Sequence, residues 1–206
     1  MDVIQNNTEQ KNSPTQRFEI AQELGDCYCS VGDLNNAQQY YEKAADISPD
    51  EPMPYVGLGI VALQNQQIED ARAAFQVACR LDNNCAKAYA GLGMVAQQKN
   101  DYKLAFDMYL KSLELDSENL IGILGLFQSS CQMGSFEKVT HYLELYLDMH
   151  PGDISVMYPL AALYMKDGKI ENSRDMLKDI LVLDPENVDA ANLLEEVEHN
   201  LQVQKA

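Results

Sequence analysis

The chain of 206 residues has no tryptophan and only 15 Lys and Arg, and no apolar run approaches the roughly 20 residues of a membrane-spanning helix. Set against 32 Asp and Glu, the shortage of basic residues leaves a net charge of −17. Nucleic-acid recognition needs a basic stripe to neutralise phosphates, so the charge argues against that class of partner, and the missing apolar run argues against membrane insertion. The phosphate-cradling glycine loop, the nucleophile elbow and the His-Glu-x-x-His signature are also missing. Histidine is scarce: His141, His150 and His199 are scattered without metal-ligand spacing. Cys27 and Cys29 are two residues apart on a helix, so their side chains diverge by about 200° and cannot hold one ion. No catalytic group, cofactor or metal is therefore expected. Five cysteines, an odd number, favour free thiols in a reducing, cytoplasmic setting over a disulfide framework, with Cys79 and Cys85 the one pair placed to meet across a turn. The opening segment, MDVIQNNTEQKNSPTQR, shows neither the basic nor the apolar region of a secretory signal.

What the chain does have is repetition. Steps of 34 residues from Leu24 reach Leu58, Leu92, Leu126 and Leu160. The adjacent column reads Gly25, Gly59, Gly93, Phe127 and Ala161, and a later one Ala37, Ala71, Ala105, Val139 and Ser173. An aromatic-to-leucine column follows at Tyr41, Phe75, Tyr109, Leu143 and Leu177. Each repeat closes on a turn signal such as LDSEN or LDPEN, and no residue is inserted or deleted across the five.

Within a repeat the apolar spacing is helical and interrupted once. Ala21, Leu24, Gly25 and Tyr28 share one helix face. Gly32, Asn100, Gly134 and Gly168, in one column, supply the left-handed residue that ends the first helix, and a second helix carries Ala37, Tyr41 and Ala44. Small residues let the two antiparallel helices approach, and the rings of Tyr41, Phe75 and Tyr109 fill the gap between successive pairs. Each pair leaves an apolar face that needs a neighbour. The stretch VDAANLLEEVEHNLQ starts like a sixth repeat and then turns acidic, as a capping helix does.

The Leu-Gly, Tyr, Ala, Phe and Pro pattern at this period resembles the tetratricopeptide repeat family. The resemblance implies an all-α, right-handed superhelical solenoid of five repeats at 18–51, 52–85, 86–119, 120–153 and 154–187. A polar, flexible segment, 1–17, would precede them, and a capping helix with a short tail, 188–206, would follow. Two departures stand out. Phe127 replaces the close-contact glycine, which predicts splaying or repacking in the fourth repeat. Pro159 falls inside the first helix of the fifth repeat, which predicts a kink or a late helix start.

Members of this family line a concave groove with the first helix of each repeat. Taking the face opposite Leu24 and Tyr28, at about 100° per residue, assigns Glu19, Glu23 and Asp26 to an acidic rim in the first repeat. The same columns place Met53, Val56, Gly57, Ile60 and Gln64 in the second repeat, and Lys87, Ala90, Gly91, Met94 and Gln98 in the third. Ile121, Leu124, Gly125 and Gln128 follow in the fourth, and Tyr158 in the fifth. An exposed helix face that is apolar over three repeats calls for a cover. Gly57, Gly91 and Gly125 either flatten the groove floor for a ligand or make room for neighbouring helices. Some family members clamp C-terminal carboxylates with Lys, Arg and Asn at inward positions, but this face offers only Lys87 and Lys166. The reading is a non-catalytic adaptor or scaffold that binds an apolar or amphipathic peptide or helix of a partner protein, with a basic flank favoured by the acidic rim. A second reading is a homo-oligomer built through the groove, the cap or the N-terminal segment with its Val3–Ile4 pair.

Overall fold

The structure, a computed structural model, describes residues 13–134 and 136–205. Eleven α-helices and no strand are found among the described residues: α1 (Pro14–Ser30), α2 (Leu34–Ile47), α3 (Pro52–Gln64), α4 (Ile68–Leu81), α5 (Ala86–Gln98), α6 (Tyr102–Leu115), α7 (Leu120–Met133), α8 (Glu137–Met149), α9 (Ile154–Lys166), α10 (Ile170–Leu183) and α11 (Val188–Lys205). They pack in successive pairs, as in tetratricopeptide solenoids. Two compact bodies part between Gly91 and Leu92, within α5. In the first, α1 packs on α2, α2 on α3 and α3 on α4; in the second, neighbours from α6 to α11 pack in the same order. The Val3–Ile4 segment lies outside the described residues, whereas Pro14–Arg17 form the first turn of α1.

The helix ends follow from local chemistry. Ser13 and Gln16 close a capping box at the start of α1, each side chain bonding the other's backbone amide at 3.1 and 2.9 Å. Asp33 and Asp101 accept from the backbone of Asn36 and Leu104 at the starts of α2 and α6. Asn119, Asp153 and Asn187 do the same for α7, α9 and α11. Between the helices of each pair one column turns left-handed: Gly32, Gln66, Asn100, Gly134 and Gly168 have φ of 80°, 61°, 58°, 69° and 77°. Gln66 holds that conformation without glycine's freedom, which its sequence neighbours do not announce.

The core sits where each even-numbered helix meets the odd-numbered helices on either side. Tyr41 of α2 is 2% exposed, and a Cβ added to Gly25 of α1 would lie 2.6 Å from its ring. A Cβ at Gly57 of α3 would come closer still from the other side. Phe75 of α4 is held in the same way between Gly59 and Gly91, and Tyr109 of α6 between Gly93 and Gly125. The room at Gly57, Gly91 and Gly125 is thus filled by aromatic rings. Of the two readings of these glycines, room for a neighbouring helix accounts for the packing at all three, since helix faces meeting a flat ring have no space for a Cβ.

In the fourth and fifth repeats the rings are gone. Leu143 of α8 and Leu177 of α10 are fully buried in the ring column. The flanking glycines become Phe127 and Pro159, then Ala161 and Leu193. Phe127 packs against the core that holds Leu143, Leu126 and Leu160. The helix with Pro159 does not start late. α9 runs from Ile154 through Pro159 to Lys166, with Asp153 as its cap. The fifth repeat is also tied by the Ser173 hydroxyl, which donates to the Ala161 carbonyl at 2.8 Å.

Candidate functional site

In the second body α5, α6 and α7 line an open cavity of about 610 Å³. Met94 lies on its α5 wall, and Ile121, Leu124 and Gly125 on its α7 wall. Gln97 and Gln98 at the end of α5, and Gln128 and Gln132 on α7, supply four amides, and α6 adds Tyr102 and Tyr109. No lining residue is charged. Ile121 is half exposed, at 50%, and Leu124 is half-buried.

The amides are not independent. The Tyr109 hydroxyl donates to Gln97 Oε1 at 2.8 Å, which turns the Gln97 amide nitrogen toward α7. That nitrogen donates to Gln128 Oε1 at 2.7 Å. With its oxygen engaged, Gln128 presents its NH₂ as a donor. The relay exists because the Tyr109 ring, clamped by Gly93 and Gly125, projects its hydroxyl out of the core. Burial holds that phenol above its usual range, so it remains a neutral donor.

Six residues read from the sequence as groove-lining meet here: Met94, Gln98, Ile121, Leu124, Gly125 and Gln128. The other nine lie elsewhere. Met53 and Ile60 are half-buried and Gln64 and Lys87 exposed in the first body, and Tyr158 is half-buried on α9. Val56 and Ala90 are 3% and 1% exposed and, with Gly57 and Gly91, pack inside. A wheel drawn around one helix cannot see that rings of the preceding helix cover Gly57 and Gly91. Asp26 is likewise less free than a rim residue: it accepts from the Tyr41 hydroxyl at 2.7 Å and from Gln22 at 3.2 Å. Sequence reasoning missed Gln97, Tyr102 and Tyr109. The available signal was that Tyr109, unlike Phe75 in its column, carries a hydroxyl that a packing role alone does not need.

The comparisons with known proteins bear on the same residues. Two family models described as tetratricopeptide repeat match residues 30–95 and 86–119. Over residues 30–119 the chain is a tetratricopeptide-repeat protein. The TPR repeat-containing protein YpiA of Bacillus subtilis is 23% identical over 173 residues, 84% of this chain but 41% of YpiA. The chain therefore spans about two fifths of that relative's length. Among solved structures, Pseudomonas aeruginosa PilF superposes with a TM-score of 0.78 at 18% identity, covering 94% of this chain and 88% of that one. YrrB, described as a TPR protein with an unusual peptide-binding site, gives 0.63 at 18% identity, covering 89% and 98%. At these identities the likeness is one of fold. Tetratricopeptide repeats mediate protein–protein interactions, and the family is typically non-catalytic. No helix among the described residues is long and apolar enough to cross a membrane.

Proposed function

We propose that the chain is a non-catalytic interaction module whose α5–α7 cavity takes an extended, uncharged stretch of a partner polypeptide. An apolar side chain of the partner would sit on Met94, Ile121 and Leu124, and its peptide groups would face the glutamines. The observation that carries this reading is the Tyr109–Gln97–Gln128 relay in a wall without charge. An oriented amide donor suits a peptide carbonyl, whereas a carboxylate terminus would find no cation there. The inference from YrrB extends only to the principle that this fold can seat a peptide. The setting proposed is the reducing cytoplasm read from the cysteines, all five of which are free thiols.

Peptides selected by display against the full chain, then measured by fluorescence polarisation, test the reading. The selected sequences should be neutral with an apolar anchor. Leu124→Glu and Ile121→Glu should each weaken binding by orders of magnitude while the melting curve stays close to wild type, because a carboxylate facing an apolar ligand is desolvated without a partner. Lys103→Glu, on the exposed side of α6, should change nothing. Salt should matter little. Binding that survives both glutamates, or peptides that come out charged, would sink the proposal. A concentration-dependent dimer lost in Leu124→Glu would favour self-assembly instead.

A further inference from the structure

A second surface lies at the far end of the second body, independent of the α5–α7 cavity. The last turns of α8 and α10 and the 151–152 loop border a cleft of about 390 Å³, lined by Leu147, Met157, Met176, Val182 and Leu183 with Asp179 at its edge. The loop is drawn close: a Cβ on Gly152 would sit 3.5 Å from Leu183 Cδ1. Val182 is 79% exposed and Leu183 56%; Met149, the last residue of α8, and Val188, the first of α11, are 45% and 69% exposed. These are four of the ten large apolar side chains exposed among the described residues, and the two most exposed of the cleft, Val182 and Leu183, are adjacent.

Asp179 is the one charged residue lining the cleft, and the stretch of chain that follows has one sign. From Asp179 to Glu196 the chain has six acidic residues (Asp179, Asp184, Glu186, Asp189, Glu195 and Glu196) and no Lys or Arg. The basic groups just upstream are engaged, Arg174 with Asp175 at 2.7 Å and Lys178 with Glu198 at 3.8 Å. We propose that this cleft is a docking surface for a cationic amphipathic helix of a partner protein. The walls are helix turns and a short loop, with no strand edge for an extended segment to add to. A helix can bury side chains at i, i+3, i+4 and i+7 without one. A second copy of this chain would bring the same acidic border and be repelled, whereas lysines flanking an apolar stripe complete it.

The probe is a fluorescein-labelled helix of about five turns (roughly 18 residues) with leucine on one face and lysine on the other, titrated against the full chain by anisotropy. Two control peptides replace every leucine by serine or every lysine by glutamate. Saturable binding is expected, with both controls and the doubly substituted Val182→Ser, Leu183→Ser chain weaker by at least about tenfold. Leu124→Glu should bind like wild type, which separates this surface from the cavity proposed above. Both serines replace exposed side chains, so an unchanged melting curve is the check that the fold persists. Equal affinity for the serine peptide would mean that charge alone attracts it, and unchanged affinity of the double variant would place it elsewhere; either overturns the proposal. So would a wild-type dimer in light scattering that the two serines dissolve, since a second copy would then be the occupant.

Discussion

At Tyr41, Phe75 and Tyr109 a flat ring lies between two helix faces that glycine has stripped bare, whereas at Leu143 and Leu177 a branched aliphatic side chain meets faces that carry Phe127 and Pro159, or Ala161 and Leu193. The two arrangements solve one problem with side-chain volume in different places. In the first three repeats it resides on the even-numbered helix, and glycines costing about 1 kcal/mol each relative to alanine make room for it. In the last two it is shared with the odd-numbered helices, and the glycines go. The exchange is reciprocal along the column: where the ring disappears, so do both of its glycines. Within this column only the ring arrangement can carry a hydroxyl, and Tyr109 uses it to orient the Gln97 and Gln128 amides. Phe75 shows that the joint itself needs no hydroxyl.

Truncation should separate the two kinds of joint most widely. Phe75→Ala should cost about 3–5 kcal/mol, near the upper end, because Gly59 and Gly91 have no side chain to lean into the hole. Leu143→Ala should fall lower in its range of about 2–5 kcal/mol, since Phe127 can relax toward the vacancy. Urea unfolding measures both. Equal losses would mean that the glycines are incidental to the ring.

A double-mutant cycle sharpens the point at smaller cost. Gly125→Ala alone should destabilise by about 1–3 kcal/mol, because the new methyl overlaps the Tyr109 ring and overpacking outweighs the gain in helix propensity. In a Tyr109→Leu background the same change should cost little or stabilise, giving a coupling of at least about 1 kcal/mol. The reverse graft, Leu143→Tyr, should be poorly tolerated against Phe127 and Pro159. Additive effects in the cycle would remove the ring–glycine pairing as an explanation.

The repeat period and the helix pairs were legible because leucine, glycine and alanine recur without a slip, and packing imposes that recurrence. The cavity was half legible. Ile121, Leu124 and Gln128 lie where one helix wheel puts them, while Val56 and Ala90 share the wheel position of Leu124 and are buried. The Tyr109–Gln97–Gln128 relay depends on three helices meeting, which no single-helix period encodes. The continuous helix through Pro159 was also illegible: one lost backbone bond counts against a helix locally, but the packed faces of Met157, Leu160 and Ala161 around it outweigh that loss.

Alkaline pH offers a gentler test of the ring joints. Burial first, and then the hydrogen bond to Asp26, hold the Tyr41 phenol above its usual range, and burial does the same at Tyr109. The folded chain therefore keeps these protons at a pH where the unfolded chain loses them. Their contribution is complete below about pH 10, the ordinary phenol value, and falls as pH rises beyond it. Tyr41→Phe and Tyr109→Phe should flatten that loss in melting curves taken above pH 10, while Leu143 and Leu177 variants should leave its slope unchanged. A slope identical in the two phenylalanine variants and wild type would show that the ring joints do not sense pH.

The smallest expected effect is on the acid side, in the two repeats whose ring column carries leucine. Hydrogen bonds from Ser155 at 2.5 and 3.0 Å, and from the Tyr146 hydroxyl at 2.9 Å, hold the Asp153 carboxyl below its ordinary range as it caps α9. Its folded-state value is depressed, so the stability it adds is present above about pH 4 and drains as pH falls through the lower, folded-state value. Asp153→Asn keeps a capping oxygen and removes the titration. Between about pH 4 and pH 2 the variant should lose less stability than wild type, whereas Asp33→Asn at the first α2 cap is the matched comparison among the ring joints. Thermal melts stepped across that window decide it: parallel curves for wild type and Asp153→Asn would mean that the cap of the fifth repeat owes nothing to its charge, and that Pro159 is held in α9 by packing alone.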